Sequence, residues 1–256
     1  MPVQDGADLK RISAYLDRTL RPDKWPDWEG AVNGLQVENR GRVHKIAAAV
    51  DGRLATVQRA AAEGADLLIV HHGLFWGTTV PWTGARYRLL LALLNRDLAV
   101  YSAHLPLDEH PRLGNNALLA RAIGLRNLKP FFICKGRPIG LQTATRLHRH
   151  ELARRIARAV GSPPRLLPGG PTLCRRVGLV TGGAGAEIRQ AAAEGVDTFI
   201  TGEGPHWTHA LAAELGLNVF YGGHYATETF GVKALAKAVA QKFHLPWVFI
   251  DHPTGL

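Results

Sequence analysis

Three observations predict an α/β fold made of two similar units. The segment Ala60-Ala61-Ala62-Glu63-Gly64-Ala65-Asp66-Leu67-Leu68-Ile69 returns as Ala191-Ala192-Ala193-Glu194-Gly195-Val196-Asp197-Thr198-Phe199-Ile200, a shift of 131 positions (60 to 191). The same shift carries the strand-like Ala47-Ala48-Ala49-Val50-Asp51-Gly52 onto Gly178-Leu179-Val180-Thr181-Gly182-Gly183, and Trp76 onto Trp207. Short aliphatic runs such as Leu67-Leu68-Ile69-Val70, unbroken by polar residues, alternate with Ala-rich helical stretches, as expected of a parallel sheet covered by helices.

The elements follow in the same order in both units: a strand, a Gly-containing turn, an Ala-rich helix, then a buried strand ending at a turn. After the next helix, Leu98-Ala99-Val100-Tyr101 resembles Leu217-Asn218-Val219-Phe220, a strand in each unit. Each of these strands leads through a His-x-x-x-carboxylate segment into a helix, predicted over 115–123 in the first unit and 229–241 in the second. Irregular structure is expected over 124–130 and over the Pro- and Gly-rich 161–164 and 168–171, with a helix over 150–160 whose arginines form a basic outer face. The units are placed at 1–130 and 131–256. The alternative is an interlocked arrangement, in which a terminal strand, Trp247-Val248-Phe249-Ile250, crosses back to the first unit.

The chain has 256 residues, 46% of them hydrophobic and 20% charged, as in ordinary globular proteins. The longest apolar stretch, Leu89–Leu94, falls far short of the roughly 18 to 20 residues of a membrane span. The first twenty residues lack the basic-then-apolar layout of a secretory leader, so the expected location is cytoplasmic and no membrane is expected as a partner. Only Cys134 and Cys174 are present, with no Cys-x-x-Cys pair, so any metal must be held mainly by His, Asp and Glu. The formal charge of +10 allows a polyanionic partner, either nucleic acid or a phosphate-bearing small molecule, although the basic residues are scattered and a solvated basic surface is an equal reading.

His71 and His72 end the Leu67–Val70 run, where ligands collect beyond the carboxyl ends of parallel strands. Adjacent side chains of an extended strand point to opposite sides, so the pair can feed two neighbouring metals, or one metal and an acceptor behind it. His104 and Asp108 in the first unit recur as His224 and Glu228 in the second, a shift of 120 (104 to 224). Either carboxylate alone reads as ordinary helix-end chemistry. Their recurrence beside histidines favours metal binding. If the strand ends of the two units converge, these groups supply enough nitrogens and carboxylates for two divalent ions, and zinc, manganese and iron all suit such donors.

The chain resembles the NIF-three-like family, dinuclear-metal proteins often labelled GTP cyclohydrolase type 2 homologues. The resemblance is carried by Asn33-Gly34-Leu35-Gln36-Val37-Glu38, then Val70-His71-His72-Gly73-x-Phe75-Trp76, then His104-Leu105-Pro106-Leu107-Asp108-x-His110-Pro111-x-Leu113-Gly114-Asn115-Asn116. It continues with Phe199-Ile200-Thr201-Gly202-Glu203 and Gly223-His224-x-Ala226-Thr227-Glu228. It implies a two-lobed α/β subunit in a toroidal homohexamer, with two divalent metal ions per chain. The implied ligands are His71, His72, Asp108, His224 and Glu228, with Glu228 or Asp108 bridging; His104 is placed behind them in a second shell, and its closeness in sequence to Asp108 allows either role. Glu203 stands where His72 stands in the first unit. It is a candidate general base or substrate contact, with structural hydrogen bonding as the equal alternative.

The chemistry implied is metal-dependent hydrolysis of a nucleotide or related phosphate-bearing small molecule. The family label would make it opening of the guanine imidazole ring of GTP. Phe75, Trp76, Trp207 and Tyr225 are the aromatics available to stack a base or simply to pack. No phosphate-loop motif, Rossmann fingerprint or serine or cysteine nucleophile motif is present. The second class of function is a non-enzymatic, ring-shaped metal-binding scaffold that engages nucleic acid or a protein partner.

Overall fold

The computed structural model describes residues 6–78 and 80–256; Met1–Asp5, which carry part of the leader expectation, and Thr79 lie outside the described residues. In chain order the elements are β1 (Ala7–Asp8), α1 (Leu9–Leu20), β2 (Gly34–Val37), β3 (Arg42–Val43), β4 (Ile46–Asp51), α2 (Leu54–Ala62), β5 (Leu67–His72), α3 (Gly84–Asn95), β6 (Ala99–Ser102), α4 (Leu105–Glu109) and α5 (Asn115–Ala122). They continue with β7 (Lys129–Cys134), β8 (Arg137–His148), α6 (Arg149–Val160), β9 (Arg165–Pro168), β10 (Leu173–Leu179), α7 (Ile188–Ala193), β11 (Thr198–Thr201), α8 (Thr208–Glu214), β12 (Asn218–Tyr221), α9 (His224–Phe243) and β13 (Trp247–Phe249). These form two compact units, one of residues 1–107 and 231–252, the other of 108–230 and 253–256.

The sheet of the first unit has the order β13-β4-β5-β6-β2. Strands β13, β4, β5 and β6 are parallel, and β2 closes the edge antiparallel to β6. Every residue of Ile46–Val50, Leu67–His71 and Ala99–Ser102 is buried, as a parallel strand covered on both faces requires. One face of that sheet buries Ala47, Ala49, Val57, Leu68, Val70, Leu93 and Val100 together. Helix α1 begins at an Asp8 cap, whose carboxylate accepts the Arg11 N–H at 2.9 Å, and it buries Leu9, Ile12, Leu16 and Leu20 at helical spacing.

The sheet of the second unit has the order β7-β8-β10-β11-β12-β9. Its parallel trio β10-β11-β12 and its antiparallel edge strand β9 repeat the β4-β5-β6 and β2 plan of the first unit. The recurring Glu-Gly of the sequence repeat has a local cause: Gly64 and Gly195 take φ of +70° and +82° directly after α2 and α7, the left-handed stop that favours glycine. The units differ beyond the trio's other edge. There β13 runs parallel to β4, whereas β8 runs antiparallel to β10 and makes a hairpin with β7. That hairpin is absent from the sequence expectation. It turns through Lys135 and Gly136, both at positive φ, as a two-residue hairpin loop demands.

Candidate metal centre

In the first unit, His71 and His72 are the final residues of β5, and His104 follows β6 by two residues. His71 is fully buried. The pleat alone predicts opposite directions for His71 and His72, but their ring centroids are 4.8 Å apart, and His104 lies 5.0 and 5.7 Å from them. Hydrogen bonds from both neighbouring strand ends account for the difference. His71 Nδ1 donates to the Ala103 carbonyl just beyond β6 at 2.8 Å, and His72 Nδ1 donates to Asp51 Oδ1, its register partner on β4, at 2.9 Å. His104 Nδ1 donates to Asp27 Oδ1 at 2.7 Å.

A carbonyl or carboxylate offers no proton, so each Nδ1 carries a hydrogen, and in the neutral form of each ring Nε2 holds the lone pair. This is how histidines that bind metal through Nε2 are usually oriented. One ring nitrogen from each of His71, His72 and His104 lies within 4.8 Å of the others. The Asp27 side chain is only 4% exposed. Burial pushes its pKa up, but the hydrogen bond and charge of His104, with Asn33 and the Trp28 N–H, outweigh this and hold it below the usual value.

In the second unit, His224 opens α9, five residues before the predicted helix start, and Glu228 lies one turn later on the same helix. His224 Nδ1 is 2.7 Å from Glu203 Oε1, and His224 Nε2 is 3.2 Å from Glu228 Oε2. Burial would lower the His224 pKa, but the Glu228 and Glu203 carboxylates override it and raise it to about 9. Carboxylate oxygens of Asp108 and Glu228 lie within 4.8 Å of each other, with the two residues 6% and 3% exposed. Two like charges buried this close favour a shared cation or proton. Asp108 Oδ1 accepts from Asn115 Nδ2 at 2.8 Å and from Thr181 Oγ1 at 3.4 Å.

The β10–α7 turn is built around these groups. Gly182 has φ +74°, its N–H donates to Thr227 Oγ1 at 3.1 Å, and a Cβ there would run into the Glu228 carboxylate. His71, His72 and His104 therefore gather in the first unit, and Asp108, His224, Glu228 and Glu203 in the second. Sequence reasoning overlooked Asp27 and Asp51. Asp51 stood at the carboxyl end of the strand before His72, which was a usable signal; Asp27 had none.

Trp76 packs its ring edge-on against His72 and His104, Tyr225 is 6% exposed, and Trp207 is 52% exposed. Of the basic clusters, Arg154 and Arg155 pair with Glu151, and Arg155 first, then Arg154, hold that carboxyl down to about 2. No helix among the described residues is long and apolar enough to cross a membrane.

Fold and site define a mixed α/β protein with two main sheets whose buried His, Asp and Glu groups suit a divalent cation. The family model described as Duf34/NIF3 (NGG1p interacting factor 3) matches residues 7–255, and the chain belongs to this family. It is 43% identical over 244 residues to a Deinococcus radiodurans protein named GTP cyclohydrolase 1 type 2 homolog, covering 94% of this chain and 92% of that one. A Halobacterium salinarum protein of the same name is 44% identical over 255 residues, covering 97% and 100%. The crystal structure of TTHA1606 from Thermus thermophilus superposes with a TM-score of 0.87 at 41% identity, covering 98% of this chain and 100% of that one.

Proposed function

We propose that this protein is a metal-dependent hydrolase acting on a nucleotide or a related phosphate-bearing small molecule, with two divalent ions held by His71, His72, Asp108, His224 and Glu228. The observation that carries the reading is the common state of four imidazoles: each has Nδ1 on an acceptor, Ala103 O, Asp51, Asp27 or Glu203. When bound, a divalent ion supplies Lewis-acid polarisation and a water nucleophile at neutral pH. In this reading Glu203 fixes the His224 ring through Nδ1, and its carboxylate, 46% exposed, is placed to take a proton from an incoming nucleophile. The carboxylates of Asp108 and Glu228 balance part of the metal charge, leaving a net attraction for an anionic substrate.

The names of the relatives support opening of the guanine ring of GTP as the reaction to test first. A homohexamer and a cytoplasmic location complete the proposal, the first from the family likeness and the second from composition. A second reading, a metal-binding scaffold that engages nucleic acid or a protein, draws on the charge of +10.

Elemental analysis of gently purified protein, paired with a nucleotide-panel assay on wild type and Glu228→Ala, tests both readings. About two metals per chain, with turnover lost in the variant, supports the hydrolase. Two metals without turnover favours the scaffold. Less than about half a metal per chain after supplementation removes the dinuclear assignment.

A further inference from the structure

We infer that His104 is itself a nitrogen donor to a metal ion held with His71 and His72, and that Asp27 is the positioning residue that makes it one. This rests on the metal-binding reading above and adds to it a ligand and the group that orients it.

The geometry lies entirely within the first unit. Asp27 Oδ1 accepts from the Trp28 N–H and from His104 Nδ1, both at 2.7 Å, and Oδ2 accepts from Asn33 Nδ2 at 2.7 Å and the Leu105 N–H at 3.3 Å. With four donors on two oxygens, the carboxylate has no room to swing. Asn33 Oδ1 accepts the backbone N–H of His104 at 2.7 Å, so the same network fixes both the main chain and the ring of this residue. Trp76, at 85° to the His104 ring and 4.8 Å away, blocks rotation, and its own Nε1 is tied to the Gly73 carbonyl at 3.0 Å.

A histidine that merely ties loops together has no need of a second nitrogen near other imidazoles. Here a ring nitrogen of His104 comes within 4.8 Å of ring nitrogens of both His71 and His72, and Nδ1 is committed in all three rings. Three imidazoles gathered in this way, each oriented through Nδ1, make a donor set that suits a divalent cation.

The test is Cu(II) titration of the full metal-free chain in a His224→Ala background, reading nitrogen couplings by electron paramagnetic resonance and Kd by chelator competition. His104→Asn keeps an N–H for Asp27 but deletes Nε2. It should lose one coupled nitrogen and bind roughly 10- to 100-fold more weakly. Asp27→Asn should weaken binding over the same roughly 10- to 100-fold range while keeping the fold. Asp17→Asn, which alters another carboxylate of the same cavity of about 600 Å³, should match the background. If Asp27→Asn fails to fold, His104→Asn alone carries the test. Metal bound by the background with unchanged couplings and Kd in His104→Asn overturns this inference and leaves the metal-binding reading intact. No Cu(II) bound by the parent chain overturns both.

Discussion

The carboxyl ends of the two parallel trios share a plan and differ in charge. At the end of β5 and β6 the donors are imidazoles, each with its Nδ1 proton assigned by an acceptor, so the nitrogens offered to a cation are ready. At the end of β11 and β12 the donors are mainly carboxylates, and the one imidazole, His224, sits between two of them. Position 72 is His and its counterpart 203 is Glu. The first unit thus presets a tautomer, whereas the second holds a proton where a metal would compete for His224. Duplicated scaffolds can in this way supply neutral and anionic ligands from equivalent positions.

The comparison breaks most sharply at His71. Replacing this fully buried ring with Ala should abolish metal uptake by the first unit and cost about 2–4 kcal/mol, read by elemental analysis and denaturant unfolding. Gly182→Ala attacks the second unit. It puts a side chain at φ +74° and against the Glu228 carboxylate, so a loss of about 1–3 kcal/mol is expected, with first-unit metal retained. Asp51→Asn leaves the His72 ring in place but unsettles its tautomer, and metal affinity measured by competition should fall about tenfold.

The smallest effect is on pH dependence. In metal-free protein the raised pKa of His224 contributes stability that is full below pH 6.5 and is lost as pH rises through about 9. Thermal unfolding of chelated wild type should therefore weaken between pH 6.5 and 9 more than that of Glu203→Gln. Wild type should also release more protons on metal binding near pH 7.5 than the variant does. Equal behaviour of the two proteins would show that Glu203 does not hold the His224 proton.

The repeat, the parallel trios and the clustered histidines were legible because each rests on local pattern: apolar runs, Glu-Gly stops and recurring His-x-x-x-carboxylate spacing. The β7–β8 hairpin was not, since Pro130 interrupts the first strand and its turn is Lys-Gly rather than a stronger hairpin signal. Helix α9 begins earlier than its propensity suggests because Thr227, a poor helix former, bonds with its hydroxyl to the His224 carbonyl at 3.0 Å and to the Gly182 N–H. Asp27 lies in a Pro-Asp-Trp stretch without periodicity, and its partner is 77 positions away. Such a contact is settled by tertiary packing, which one sequence does not display.

The pairing of β13 with β4 bears on how the protein is made. The first sheet takes its outer strand from residues 247–249, which leave the ribosome about two hundred residues after β4 itself. Until then, the Ile46–Asp51 edge of a nascent chain carries unpaired backbone N–H and C=O groups flanked by apolar side chains. Synthesis of the second unit therefore proceeds while the first is still open on one side, and that interval is when a chaperone or a neighbouring nascent chain would meet it.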